Sequence, residues 1–184
     1  FMVNSVNWLY TRIKVDDEIL DLHNSNFSNF RRILDLRNGL LKRSFTWTTK
    51  TGKILNLVFE RFISMSKVHI GVQKITVAPV NFSGKISIVS GLDFSEPHRI
   101  FNKNFWDCID ATNEDSYLSI TGKIESTNQR VFSSCIFRGD TENQDEAFVN
   151  SKAVAKEFTL DLSRGKESVL VKIVSILVCS SSSR

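Results

Sequence analysis

Two runs of alternating side chains meet at Asn38-Gly39. The upstream run is Phe30 to Arg37. The downstream run is Leu40 to Thr49, with Leu41, Arg43, Phe45 and Trp47 on one face. A period of two belongs to a pleated strand, because successive side chains point to opposite faces. Asn-Gly between two such runs is a strong hairpin signal: a type I′ turn needs φ > 0 at both central residues, which Asn and Gly tolerate. The expectation is an antiparallel hairpin closed by a two-residue turn.

The same period recurs along the chain. Leu9, Thr11, Ile13 and Val15 alternate with Trp8, Tyr10, Arg12 and Lys14, and Asp16-Asp17 then turns into Glu18 to Leu20. Asn24 to Asn29 reads as a polar loop. Lys50 to Lys53 turns into the strand Ile54 to Ser64. His69 to Ala78 follows, ended by Pro79, which donates no ladder hydrogen bond. Asn81 to Gly84 is a turn and Lys85 to Ser90 a strand. The pattern is lost from Gly91 to Ser116 and resumes at Tyr117 to Ile124, Arg130 to Arg138, Val154 to Leu162 and Glu167 to Cys179, leaving Ser180 to Arg184 as a frayed tail.

Regularly spaced short strands predict an all-β, antiparallel β-sandwich with little helix. Composition agrees. Val, Ile, Thr and the aromatics make up 62 of 184 residues and Ala only five. β-branched and aromatic side chains suit a pleated sheet, and their stiff χ1 disfavours helices. No repeat or low-complexity linker divides residues 1–184, so the reading is one domain.

Several function classes fall away. Lys and Arg number 24 against 20 Asp and Glu, with both signs spread along the chain, so no nucleic-acid partner is expected. The longest apolar run, Val169 to Cys179, is about half a bilayer span, so no membrane partner is expected either. Cys108, Cys135 and Cys179 form no CxxC and read as reduced thiols in a cytoplasmic protein. The chain begins Phe1-Met2 with no signal peptide, and without an initial Met it reads as a fragment, a processed product or an engineered piece. Two Asn-x-Ser triplets, at Asn26 and Asn81, would matter only in a secreted eukaryotic protein. His23, His69 and His98 lack ligand spacing, so no metal is expected. GxSxG, GxGxxG and GxxxxGK are missing, and no cofactor is expected.

Three groups of residues remain. Asp35 and Asp93 could be catalytic carboxylates or structural acceptors of backbone N–H groups; the structural reading is favoured. Arg31, Arg32, Arg37, Lys42 and Arg43 interleave with Phe30, Phe45 and Trp47. Strict alternation would place Arg43 with Phe45 and Trp47 but Arg32 with Phe30, scattering the charges over two faces. A solvated outer face, balanced by Asp35, is favoured over a nucleic-acid surface. The irregular segment carries Phe101, Phe105 and Trp106. Long irregular segments usually serve function or order against a partner. These three rings either form a docking loop or cap an open end of the sandwich, and both readings stand.

At this point the motifs resemble those of a known family. Leu34-Asp35-Leu36-Arg37-Asn38-Gly39-Leu40-Leu41-Lys42-Arg43 resembles the LDMRxGxLxR stretch in the N-terminal domain of glycoside hydrolase family 65, which includes maltose, trehalose and kojibiose phosphorylases. Arg61-Phe62-Ile63-Ser64-Met65-Ser66 with His69 is similar to its RFxSM…H segment. Thr76 to Gly84 is similar to its TPxNWSG turn, with Phe82 in place of Trp. Ser90-Gly91-Leu92-Asp93 is similar to SALDG, with Phe94 in place of the last Gly, and Asn7-Trp8-Leu9 to PNWL. The resemblance is specific from about Asn7 to Asp93. Beyond that, Val171 to Ser175 is similar to a strand near the end of the family domain, while Leu177 to Arg184 departs from the expected TSRD.

The resemblance implies a β-super-sandwich preceding an (α/α)6-barrel catalytic domain. It places the general acid and the phosphate-binding residues in that barrel, so no catalytic residue carries over to this chain. The expected role is that of a non-catalytic N-terminal domain of an α-glucoside phosphorylase or hydrolase acting on disaccharides. Its expected partners are the catalytic barrel of the same polypeptide, a second copy, and the carbohydrate substrate approached by the loop of Phe101, Phe105 and Trp106. The alternative is a stand-alone carbohydrate-binding or protein-interaction sandwich.

Overall fold

The computed structural model describes residues 2–141, 143–149 and 151–179; the expected frayed tail, Ser180 to Arg184, lies outside them. Thirteen strands make up the described regular structure, with no helix among them. They are β1 (Thr11–Val15), β2 (Glu18–Ile19), β3 (Asn26–Asp35), β4 (Leu40–Thr48), β5 (Ile54–Ile63), β6 (Ile70–Pro79), β7 (Gly84–Asp93), β8 (Trp106–Asn113), β9 (Leu118–Ile124), β10 (Arg130–Gly139), β11 (Asn143–Val149), β12 (Ala153–Leu162) and β13 (Ser168–Cys179).

They form two sheets, ordered β11-β12-β7-β1-β2 and β3-β4-β5-β6-β13-β10-β9-β8. Every pairing is antiparallel. Each sheet keeps two edges, so this is the expected sandwich and not a closed barrel. The core lies between the inner faces: Ile13 and Val15, Ile86 and Ile88, Phe158 and Leu160 on the smaller sheet, against Trp47, Leu57, Val77, Leu118, Ile120, Leu170 and Val174 on the larger. Alternation is clean along β4 and β5, where Phe45, Trp47, Leu55 and Leu57 are buried.

Five strands cannot cover eight. The edge strand β3 is exposed almost throughout, on both faces. A long, apolar, uncovered edge strand invites a partner.

Three local expectations need correction. Asn24 to Asn29 is not simply a loop, since β3 begins at Asn26. Its break in pattern is a β-bulge: Ser28 pairs Thr46 and Arg31 pairs Ser44, so Asn29 and Phe30 together oppose Phe45. Asn29 takes φ 55° to accommodate the extra residue. Asn38-Gly39 closes a hairpin, but not through a type I′ turn. Asp35 pairs Leu40, four residues intervene, and of the dipeptide only Gly39 has positive φ, at 63°. The Asp35 carboxylate shapes that loop. It accepts the backbone N–H groups of Arg37 and Asn38 at 3.0 and 3.2 Å, and the Asn38 side-chain amide at 2.7 Å. Finally, the irregular stretch Gly91 to Ser116 contains β8, and β11 is a strand where none was expected.

Candidate functional site

The three aromatic residues of the irregular segment fall in different places. Trp106 is the first residue of β8 and is buried. Its ring packs on Phe94, with centroids 4.8 Å apart, over Gly122, where a side chain would collide with both rings. Its indole N–H donates to the Asn4 carbonyl. Trp106 is therefore core. Phe101 is 51% exposed and Phe105 half-buried. They form an edge-on pair at 6.1 Å, with His98 5.0 Å from Phe101 and 6.0 Å from Phe105. The His98↔Lys103 bridge closes this tip into a small hairpin. Its base is tied down: Asn104 donates to the Phe94 carbonyl at 2.6 Å, and Lys152 donates to the Trp106 carbonyl at 2.8 Å.

The two carboxylates are structural acceptors. Asp35 serves the hairpin loop, and those hydrogen bonds hold its pKa below the usual carboxylate range, the Asn38 side chain first. Asp93 is buried and accepts the backbone N–H of Ser95 at 2.7 Å. Among the described residues no three His, Cys, Asp or Glu side chains come together as a metal would need. All three thiols are free. Burial pushes Cys108 up to about 11 and Cys135 up to about 12, so neither is an activated nucleophile.

The register of the β3–β4 hairpin brings two of the arginines together. Arg32 pairs Arg43 directly, so Phe30 and Arg32 lie on the same face as Phe45 and Arg43. Phe30 stacks on Phe45 at 6.2 Å, and Phe45 on Phe59 at 5.9 Å. Arg32 lies over Phe30 at 5.8 Å, and Arg43 over Phe59 at 4.6 Å. Arg32 pairs with Arg43 across β3 and β4, and Arg61 pairs with Leu41 and Gln73 one row along. Arg32 and Arg43 thus lie on the inner face of the larger sheet, extended beyond the edge of the smaller one, while Arg31 and Lys42 lie on the opposite, outer face, so the expected scatter over two faces holds. Asp35, expected to balance the charge, is committed to the turn.

This face walls a cleft of about 690 Å³ against β1, β2 and the segment after it, lined by Arg12, Arg32, Arg43, Phe59, Arg61 and Gln73 and also by the acidic residues Asp21 and Glu60. The Asp21 carboxylate accepts from the His23 backbone N–H and the Asn24 side-chain amide. Burial above all, and then the charges of Arg32 and Arg61, lower the pKa of Arg43. Among the described residues no carboxylate lies within ion-pair distance of these four guanidiniums. The nearest acid on the strand, Glu60, points to the opposite face, where Lys42 and Lys74 hold it at 3.5 and 3.6 Å. A second, apolar groove of about 580 Å³ adjoins the first, sharing Leu41 and Arg61 and lined by Leu36, Ile63 and Met65. Leu36 and Met65 are 83% and 91% exposed.

The described residues thus form an all-β sandwich with a long uncovered edge strand and an arginine-lined face. Comparisons with known proteins give its family. The model of the glycosyl hydrolase family 65 N-terminal domain matches residues 1–183, and the chain belongs to that family. It is 35% identical over 92 residues to the alpha,alpha-trehalose phosphorylase of Thermoanaerobacter brockii, covering 50% of this chain and 12% of that protein. It is 38% identical over 92 residues to the kojibiose phosphorylase of the same organism, again covering 50% and 12%. Among solved structures, one described as a kojibiose phosphorylase from the human microbiome superposes with a TM-score of 0.88 at 27% identity, covering 99% of this chain and 24% of that one. The matched half of the chain thus spans about an eighth of these two relatives, and the whole chain about a quarter of the solved one. No described helix is long and apolar enough to cross a membrane.

Proposed function

We propose that residues 1–184 form one non-catalytic β-sandwich domain of a cytoplasmic disaccharide phosphorylase that cleaves an α-glucosidic bond. The domain packs on the catalytic portion of the same polypeptide, supports it and helps it oligomerise. The observation that carries this reading is the family match over residues 1–183 combined with the small share of each relative that the chain spans. The two carboxylates singled out as catalytic candidates, Asp35 and Asp93, are both engaged as backbone acceptors. The tip carrying Phe101 and Phe105 is held on a fixed base and presents an exposed ring, which suits a loop that approaches the sugar site. Three free thiols fit a reducing compartment.

The test is an assay of the isolated chain on maltose, trehalose, kojibiose and nigerose, with and without inorganic phosphate. No release of glucose or glucose 1-phosphate is expected. Release that Asp35→Asn or Asp93→Asn abolishes would overturn the non-catalytic reading.

A further inference from the structure

The reading above says that the domain docks; the structure also indicates where, and against what chemistry. We propose that the arginine–aromatic face of β3, β4 and β5 is the docking surface, and that its occupant is a carboxylate-bearing segment with large apolar side chains from the remainder of the same polypeptide.

Four arginines, Arg12, Arg32, Arg43 and Arg61, line one cleft, and the two acids that line it with them are engaged elsewhere, Asp21 with the His23 backbone N–H and the Asn24 amide and Glu60 with Lys42 and Lys74. Arg43 is half-buried against Phe45 and Phe59. Guanidiniums crowded together and partly desolvated favour an anion that can accept their forked hydrogen bonds.

The surroundings decide between a small anion and a polypeptide. The charged cleft runs directly into the apolar groove of Leu36, Ile63 and Met65 through the shared Leu41 and Arg61. Phe27, Phe30 and Leu34 are exposed along β3 beside it. A free phosphate or sugar phosphate would satisfy the arginines and leave this apolar rim in water. Patches of exposed aromatic, Met and Arg side chains are typical of protein interfaces. A carboxylate flanked by apolar side chains covers both regions at once. The relatives are about eight times longer than their match to this chain, so ample polypeptide exists to supply it.

The test uses the complete protein that contains this domain. A photo-crosslinking amino acid is placed at Ile63 in the groove and, separately, at Phe132, which is exposed on β10 at the far end of the same sheet. Cross-linked peptides are then identified by mass spectrometry. The expected result is an Ile63 cross-link within one polypeptide to a downstream segment containing Asp or Glu. Arg43→Glu with Arg61→Glu should reduce that cross-link at least fivefold, and reversing the charge of the captured acid should restore it. Cross-links from Phe132 but not from Ile63 would overturn this surface while leaving the docking reading intact. No intramolecular cross-link from either site would overturn both. Capture of a second copy at Ile63 would also overturn the proposal. So would a cleft that inorganic phosphate or glucose 1-phosphate fills, seen as loss of the cross-link at millimolar ligand.

Discussion

Replacing Lys172 with Met should make the chain more stable at neutral pH and less dependent on pH. Lys172 sits on β13 in the middle of the core, 2% exposed. Its Nζ donates to the carbonyls of Tyr10 and Gly91, both at 3.1 Å. The titratable group that acts on it is the Cys135 thiol, which burial pushes up to about 12, so it supplies no counter-charge at neutral pH. Burial accordingly lowers the Lys172 pKa from 10.5 to about 7. The folded value lies below the unfolded one, so between about pH 7 and 10.5 the unfolded chain binds more protons and stability rises with pH.

Each pH unit in that window is worth about 1.4 kcal/mol, so accommodating Lys172 costs on the order of 4 kcal/mol at pH 7. Lys172→Met keeps the length and removes that cost. It also leaves the Gly91 carbonyl without this donor, at about 1–3 kcal/mol. The net expectation is a gain of roughly 2 kcal/mol at pH 7 that is lost by about pH 10. The assay is urea unfolding of both chains at pH 7, 8, 9 and 10. Taking the difference between the two removes the opposite trend of Cys108 and Cys135. A difference that stays constant from pH 7 to 10 would refute the reasoning, because it would show that Lys172 keeps its proton in the fold.

Three further outcomes follow. Gly39→Val should destabilise by on the order of 1–3 kcal/mol, because a β-branched residue is strained at φ 63° although the space around Gly39 is open; an unchanged urea midpoint would contradict it. Trp106→Ala should cost about 3–5 kcal/mol through the void left beside Phe94, whereas exposed Phe101→Ala should shift stability by less than about 0.5 kcal/mol; equal losses in chemical denaturation would contradict the placement of these rings. In the complete protein, Phe101→Ala should raise KM for the disaccharide while kcat holds, as a loop at the sugar site requires; an unchanged KM would remove the loop from the site.

The sandwich was legible because its strands obey a period of two wherever one face is buried. Leu55 and Leu57 on β5, and Phe45 and Trp47 on β4, declare their faces in the sequence. The arginine site was missed although the hairpin made it legible. An antiparallel hairpin closed by an even number of loop residues sets even-numbered residues of one strand opposite odd-numbered residues of the other, so Arg32 comes opposite Arg43. The bulge at Asn29 acts only on Asn26 to Ser28 and turns Phe27 to the face of Phe45. Gly39 was read correctly as a turn residue, but Asp35, three residues before Asn38, sets the loop length through its side chain. Strand β8 was hidden because its alternation is interrupted by a register shift between Cys108 and Asp110. Trp106 looked like a loop aromatic because nothing local shows that Gly122, sixteen residues on, leaves space for its ring.

The most direct test of the account separates structural support from chemistry. The complete protein, the same protein lacking residues 1–184, and a mixture of that truncated form with the isolated chain are assayed for phosphorolysis of kojibiose and trehalose. The account predicts that the truncated form loses activity and thermal stability, that the isolated chain is inactive, and that adding the chain in trans restores a measurable part of the activity. Full activity and unchanged stability of the truncated form, or turnover by the isolated chain, would contradict it.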